Sequence, residues 1–499
     1  MIFLVRRLKI KNKERILYDV ELTKNKDSID LPLTTIVIGK NGAGKSYLLK
    51  LLVDVFKLIE DHSRHNELNK KTKTKFRYPE FEITYFLNGN EYFVKYINSE
   101  IYVYINNIRA ELTGEVLPSK IIAISYLSND KFTFSDNSDK ESIYRYLGIK
   151  ETSNSSYANT IEKRLIQTIF NSLLLDGFNR KVMETLTFLD YKRLLVVKYK
   201  VKTNLAKGKV SGLDLTKKID KLSKGRSFRN YQVIDEKFKN SDLLIDDFYS
   251  FLKSIKNGDF DEYIKIENDN EIIFTITPKI NNDMAYNLLE KYEFLSIYTG
   301  LGLVESPKIS LMKRDEVSFD STSSGEKHYI YSILSIASEI DNNSLILIDE
   351  PEISLHPTWQ SQYVNNLKNV FGKFSNTHFI LATHSHFLVS DLEPKSSTLV
   401  TVKNEVDNNL YDRICSFEDF STYGWSAENI LLNVFDMPTT RNYYLANEIG
   451  DLVSTLSDSS NQISNETIMR IKRLKSIEPL IKEYDPLKEI LISLLNKVQ

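Results

Sequence analysis

Residues Gly39-Lys40-Asn41-Gly42-Ala43-Gly44-Lys45-Ser46 fit the spacing G-x-x-x-x-G-K-[ST]. Glycines let such a loop wrap tightly enough to aim backbone N–H groups at phosphate oxygens. Lys45 adds a positive charge for the β- and γ-phosphates of a nucleotide, and the Ser46 hydroxyl is a ligand for Mg²⁺. A second segment, Leu345-Ile346-Leu347-Ile348-Asp349-Glu350, is an apolar run that ends in two carboxylates. At the carboxyl edge of a buried parallel strand, Asp349 would hold the magnesium shell and Glu350 would polarise an attacking water. Two more segments stand out by position: Ser321-Thr322-Ser323-Ser324-Gly325-Glu326-Lys327 before a helical pattern, and Thr383-His384-Ser385 after an apolar run. Taken alone, the serine-rich turn reads as a helix cap, with Glu326 completing a capping box.

These groups need a scaffold that brings them to one place. The β-branched run Thr34 to Ile38 predicts a strand before the glycine loop. Leu48, Leu49, Leu51, Leu52, Val55, Phe56 and Leu58 fall at helical spacing after it. Strands are also expected over Phe3 to Ile10, Tyr18 to Leu22, Phe81 to Phe86 and Ile101 to Ile105, with a polar loop over 61–77. Beyond Phe319 the pattern alternates: helix from Lys327 to Ile340, strand from Leu345 to Ile348, helix from Thr358 to Val370, strand from His378 to Leu381. That alternation is what a helix-covered parallel sheet produces. Between 140 and 295 the recognisable stretches are helical (Ile161 to Leu175, Leu243 to Ile255), with no sustained heptad repeat. The two outer thirds therefore predict one split α/β domain, interrupted by an insertion.

The 499 residues include 66 basic and 67 acidic ones, which excludes a uniformly basic nucleic-acid binder. One cysteine, Cys415, excludes an intrachain disulfide framework and a multi-cysteine zinc site. No apolar stretch approaches the about 20 residues needed to cross a bilayer, and the expected location is the cytoplasm, away from any membrane.

With these motifs in order, the chain resembles the ABC-type ATPases. Ser323-Ser324-Gly325-Glu326 is similar to that family's Ser-Gly-Gly-Gln signature, with Ser for the first Gly and Glu for Gln. His384 matches its switch histidine. The resemblance implies an ABC-type ATPase head: a parallel sheet core with an antiparallel β-subdomain, a mainly helical insertion and a helical C-terminal tail. It implies ATP and Mg²⁺ as ligands, Glu350 and His384 as catalytic residues, and Ser46 and Asp349 at the metal. It implies nucleotide contacts from Gly39 to Ser46 and from Ser323 to Glu326. The signature would cap the nucleotide of the opposite subunit, hence a homodimer. The family's Q-loop glutamine has no match in Ser125-Tyr126-Leu127-Ser128-Asn129-Asp130.

Asp349-Glu350-Pro351-Glu352-Ile353-Ser354-Leu355-His356-Pro357 resembles the soluble branch related to DNA repair and bacterial phage defence. Within it the chain is similar to the stand-alone defence ATPases of Septu systems, the PtuA type that also accompanies some retrons. There the effector is a separate nuclease of HNH type. The expected division is 1–139 and 296–425 for the ATPase, 140–295 for the insertion and 426–499 for the tail. An SMC-like repair ATPase that engages DNA itself is the alternative. Lys192 to Arg229 carries thirteen Lys or Arg against Asp214 and Asp220, a candidate nucleic-acid surface on which Tyr199 and Phe228 could stack bases. A second basic run spans Lys70 to Arg77. Both also read as solvated loops. A self-contained nuclease would have to use Asp259, Asp261 and Glu262, which read more simply as a solvated turn.

Overall fold

The computed structural model describes residues 3–24, 32–68, 76–127, 130–135, 137, 139–148, 157–206, 215–216, 241–260, 262–268, 270–390, 392–404, 412–437, 439–457, 464–475, 477, 479, 481 and 485–496. They form two compact units, Met1–Gly424 and Trp425–Gln499. In chain order the first unit opens with β1 (Leu4–Asn12), β2 (Arg15–Glu21), β3 (Leu33–Ile38), α1 (Lys45–Leu68), β4 (Glu80–Leu87), β5 (Asn90–Ile97), β6 (Glu100–Ile105), β7 (Ile108–Ala110), β8 (Lys120–Ser125) and β9 (Tyr144–Tyr146).

One sheet is an antiparallel meander in the order β2-β1-β4-β5-β6-β7. Its hairpins turn on Asn88-Gly89, Asn98-Ser99 and Asn106-Asn107, all with positive φ. Two-residue turns of that hand match the strand twist, and Asn and Gly tolerate them best. β4 alternates strictly between buried and half-buried residues, so one face packs inward. That face meets α1: Phe56 lies 6.3 Å from Phe3 and 5.5 Å from Tyr85 between ring centroids. The polar stretch expected as a loop from residue 61 is helical to Leu68. There Arg64 pairs with Glu60 one turn back at 3.0 Å, and the His62 ring meets the Leu58 carbonyl at 3.0 Å.

The next segment contains α2 (Tyr157–Ser172), α3 (Phe178–Phe188), β10 (Leu195–Lys200), α4 (Thr203–Ala206), α5 (Ser241–Asn257), β11 (Ile264–Glu267), β12 (Glu271–Ile276), α6 (Asn282–Gly300), β13 (Lys308–Met312) and β14 (Glu316–Ser318). The five strands form an antiparallel sheet ordered β11-β12-β10-β13-β14, an element the sequence reading did not contain. Its strands are three to six residues long, too short for a period of two to develop, although β12 is itself an apolar run. Tyr199 on β10 is 1% exposed and packs 5.2 Å from Phe274. It belongs to this core and is not a platform for a base. Phe228, most of the Lys192–Arg229 run and all but the end of the Lys70–Arg77 run lie outside the described residues.

The chain then returns through α7 (Ser324–Glu339), β15 (Ser344–Asp349), α8 (Pro357–Phe371), β16 (His378–Ala382), α9 (His386–Val389), β17 (Ser397–Asn404) and β18 (Arg413–Glu418). The central sheet is β18-β17-β3-β16-β15-β8-β9, parallel except for β18. Alternate residues of its strands (Val37, Leu345, Leu347, Ile380, Ala382) join α1 and the meander in one core. Each Val, Leu or Ile among them contributes about 1.5–3 kcal/mol on burial. On the opposite face Phe379 packs on Phe371 of α8 at 5.7 Å. β3, β15 and β16 are buried along their whole length, as expected of a sheet covered on both faces. Among the described residues, no helix is long and apolar enough to cross a membrane.

The second unit holds α10 (Ala427–Asn433), α11 (Tyr443–Ser457), α12 (Asn465–Lys475) and α13 (Pro486–Asn496). Ile449, Leu452, Ile471, Leu474, Leu487 and Leu491 form its core.

One polar group stitches the two larger sheets. His378 is fully buried, accepts the Val5 N–H at Nδ1 (3.1 Å), and meets the Thr35 hydroxyl at Nε2 (2.8 Å). Burial pushes its pKa down to about 3 from 6.5. The unfolded chain therefore takes up a proton below pH 6.5 that the folded chain refuses, and stability falls as pH drops from 6.5 towards 3. From pH 7.5 to pH 5 this one group costs about 2 kcal/mol. Urea unfolding at the two pH values should show that His378→Gln, which keeps an acceptor, loses less stability over this interval by about that amount. Equal losses in both proteins would assign the acid sensitivity elsewhere.

Candidate active site

β16 pairs in parallel with β3 on one side and β15 on the other, in a register that sets Ala382 beside Val37 and Asp349. The glycine loop, the acidic pair and the Thr383-His384-Ser385 segment therefore all leave the sheet at one edge, where open parallel sheets bind ligands.

Gly39 to Ser46 joins β3 to α1. Gly42 and Gly44 have φ of 79° and 101°, and a Cβ on Gly39 would run into the Val402 carbonyl. The loop is held from behind by two residues that sequence reasoning missed. Tyr18 donates its hydroxyl to the Gly44 carbonyl at 2.7 Å, and Arg413 donates Nε–H to the Ala43 carbonyl at 2.9 Å. The Arg413 guanidinium lies 4.8 Å above the Tyr18 ring, a favourable cation–π contact. Fixing the two carbonyls to the rear constrains the peptide planes whose N–H groups would meet a phosphate. No motif marks these residues, because each is an ordinary strand position in sequence.

Lys45 is 4% exposed. Its ammonium donates to the Gly39 carbonyl at 3.1 Å and lies 2.5 Å from His384 Nε2. Burial lowers its pKa, opposed by Glu350, Asp349 and Glu352. His384 Nε2 is also 3.2 Å from Glu350 Oε1. Lys45 also lies 3.3 Å from Nδ1, so one tautomer accepts the ammonium at Nδ1 and donates Nε2–H to Glu350, whereas the other accepts at Nε2. Burial alone would raise the Glu350 pKa, but the interaction with His384, a hydrogen bond with Glu352 and the charge of Lys45 together outweigh it and hold the carboxyl below its usual range. Glu350 leaves the strand with φ 53°, a conformation that costs energy in a non-glycine residue and concentrates at functional sites.

Asp349 is 1% exposed and hydrogen-bonds Ser46, while its Oδ1 is buried without a hydrogen-bond partner. Burial raises its pKa to about 6, and Glu350 and buried Asp130 add to the rise. An unpartnered carboxylate oxygen beside a hydroxyl is the donor set that suits Mg²⁺. The residues therefore fit the ion, and Ser46 and Asp349 are the ones that would hold it. Asp130 occupies the corner where no Q-loop glutamine was found, accepting the Phe132 N–H at 2.9 Å and the Tyr146 hydroxyl at 2.5 Å.

The serine-rich turn starts α7. Ser323 caps the helix and Glu326 completes a reciprocal capping box. Ser323 and Ser324 are exposed, whereas a Cβ on Gly325 would run into the Ser354 carbonyl. Glu326, expected at the nucleotide, is committed within the chain. Its Oε2 accepts the Ser323 N–H and hydroxyl, each at 2.9 Å; Oε1 accepts the Tyr191 hydroxyl at 2.9 Å and the Lys313 ammonium at 3.0 Å. Burial opposes its ionisation, but these donors prevail and lower the pKa. What remains to offer a phosphate is the helix N-terminus at Ser323, Ser324 and Gly325.

The candidates for other chemistry do not assemble. Among the described residues no group of three or more His, Cys, Asp or Glu could hold a metal ion. Asp259 and Glu262 lie in turns, and Asp261 is outside the described residues. Cys415 is half-buried on β18, its thiol pushed up to about 12 by burial.

Residues 34–390 match the family described as AAA domain, putative AbiEii toxin, Type IV TA system. The chain is similar to the retron Vc95 probable ATPase of Vibrio cholerae serotype O1 biovar El Tor, with 25% identity over 441 residues, 81% of this chain and 75% of that protein. It is also similar to the Septu protein PtuA of Bacillus thuringiensis, 28% identical over 160 residues, 30% of this chain and 39% of that protein. Among solved structures, the SMC head domain from Thermotoga maritima aligns with 83% of this chain and 99% of its own, at 12% identity and a TM-score of 0.36.

The rear support of the glycine loop is testable. Arg413→Ala should weaken binding of a fluorescent ATP analogue about 10-fold, roughly 1.4 kcal/mol for one charged hydrogen bond. Tyr18→Phe, which removes only the hydroxyl, should have a smaller effect. Wild-type affinity in both would show that the loop holds its shape without them.

Proposed function

The chain belongs to the family described as AAA domain, putative AbiEii toxin, Type IV TA system, and is an ATPase; from that premise we propose that it is an ATP-driven dimeric switch of anti-phage defence, whose state gates a separate effector. The observation that carries the catalytic part is the contact chain Lys45–His384–Glu350 beside the Ser46–Asp349 pair. In this reading Lys45 and the N–H groups of Gly42 to Ser46 hold the β- and γ-phosphates, with Gly39, Lys40 and Asn41 shaping the approach. Ser46 and Asp349 hold magnesium, which when bound supplies charge neutralisation for the phosphates. Glu350 accepts a proton from the water whose oxygen attacks the γ-phosphorus. The bond to the β–γ bridging oxygen breaks, and ADP carries away the electron pair. A negative γ-phosphate at Lys45 draws the ammonium from His384 and frees Nε2 for the phosphate or for Glu350.

The partner in the switch is a second copy of the chain. The exposed start of α7, with Ser323 and Ser324, offers N–H groups and the positive end of a helix dipole to the γ-phosphate held by the opposite subunit. Defence is supported by the similarity to proteins named for retron and Septu systems. The gated effector in this proposal is a separate nuclease of HNH type, which rests on the sequence resemblance alone. The working place of such a switch is the cytoplasm. Direct action on DNA, the repair alternative, would need a surface on the Lys192–Arg229 run.

Glu350→Gln should lower ATP hydrolysis by about 10²–10⁴-fold, the usual contribution of a general base, while ATP binding persists. The same variant with ATP should run at twice the monomer mass in light scattering, whereas Lys45→Ala should bind no nucleotide and stay monomeric. Normal hydrolysis by Glu350→Gln would remove Glu350 from the role of base. A trapped variant that remains monomeric would remove the dimer.

A further inference from the structure

We infer that Glu352 is a positioning residue of the hydrolytic site: it fixes the main chain of the Thr383–Ser385 segment so that the His384 ring stands between Lys45 and Glu350. The inference rests on the reading of Glu350 and His384 as hydrolytic residues, and adds a third carboxylate of the Asp349-Glu350-Pro351-Glu352 turn to that machinery. Glu352 Oε1 accepts the backbone N–H of His384 at 2.6 Å, and the Thr383 hydroxyl bonds the same carboxyl group. A carboxylate on a main-chain N–H is among the stronger hydrogen bonds a protein makes.

The need for this tether follows from the neighbouring bonds. Up to Thr383 the chain is still in the sheet: the Glu350 N–H bonds the Ala382 carbonyl at 2.9 Å, and the Thr383 N–H bonds the Val37 carbonyl at 3.0 Å. Past Thr383 the ladder stops, and side chains take over. Glu352 holds His384, while Gln360 on α8 accepts the Ser385 hydroxyl at 2.5 Å and donates to the Leu355 carbonyl at 2.9 Å. Both tethers tie the histidine segment to the stretch that begins with the acidic pair. A ring that stands between Lys45 at 2.5 Å and Glu350 at 3.2 Å works only if its own backbone is held, because misplacement by about 1 Å is costly in catalysis.

The rest of the Glu352 carboxyl has a second neighbour. Oε2 is buried without a hydrogen-bond partner, and Glu350 is close enough to interact. Burial, with the Glu350 charge added, raises the Glu352 pKa to about 7. A neutral carboxylic acid keeps Oε1 as an acceptor and can offer its proton towards Glu350, and a glutamine amide reproduces both properties. Alanine reproduces neither.

The test uses the full chain with Glu352→Ala, Glu352→Gln, His384→Ala and the Glu352→Ala/His384→Ala double variant, with Glu350→Gln as the control. Steady-state ATP hydrolysis and titration with a fluorescent ATP analogue are measured on each. Glu352→Ala should lower kcat about 10- to 30-fold, the loss of one or two buried hydrogen bonds, with nucleotide affinity within about twofold. Glu352→Gln should stay within about threefold of wild type. The double variant should be no slower than His384→Ala alone, since residues acting through one another are not additive. Four results would overturn the inference: wild-type kcat in Glu352→Ala, Glu352→Gln as slow as the alanine variant, additive losses in the double variant, or loss of nucleotide binding in Glu352→Ala. Hydrolysis that survives in Glu350→Gln would overturn the underlying reading instead, and is seen separately.

Discussion

The parallel pairing of β16 with both β3 and β15 is the constraint from which the site follows. The three strands are far apart in sequence, yet the register places Val37, Ala382 and Asp349 side by side. Each strand then ends within a residue or two of the same edge, and each exit carries one reagent: the glycine loop, the histidine or the carboxylates. A register slip of one residue would turn every side chain of the slipped strand to the other face. Full burial of all three strands makes that slip expensive, so the packing of aliphatic side chains underwrites the position of the polar ones.

Those polar groups are costly to keep together. Lys45 and Asp349 are buried, Glu350 and Glu352 stand close by, and burial disfavours every charge among them. The structure offsets the cost unevenly. Glu350 is satisfied by His384 and stays ionised, whereas Asp349 and Glu352 are left with an unpartnered oxygen and raised pKa values. The groups that fold leaves incomplete are those a magnesium ion or a proton would complete.

Much of the site is legible in the sequence because its chemistry is local. Gly39 to Ser46 must be contiguous to form a loop, and Asp349-Glu350 must be adjacent to end one strand, so spacing alone finds them. The contacts of Tyr18, Glu352, Arg413 and His378 are invisible for the converse reason. Each acts on a segment remote in sequence, and nothing in the surrounding residues distinguishes Arg413 from any strand arginine. The five-stranded sheet escaped for another reason. Its strands are short, and β10 lies inside the run whose charge marks it as a basic surface. Tyr199 shows the consequence, since the residue that composition offers to a nucleic acid is closed inside a core.

The departure from the signature pattern at Glu326 has a physical reason in this fold. Four donors converge on its two oxygens: the Ser323 N–H and hydroxyl, the Tyr191 hydroxyl and the Lys313 ammonium. A glutamine could serve only one pair of them, because its amide nitrogen is itself a donor and would face the other pair. Glutamate is therefore the residue that joins the start of α7 to Tyr191, which precedes β10, and to Lys313, which follows β13. The sheet of the insertion and the turn that would meet a phosphate share one carboxylate. A displacement of that five-stranded sheet must either break those bonds or carry the start of α7 with it.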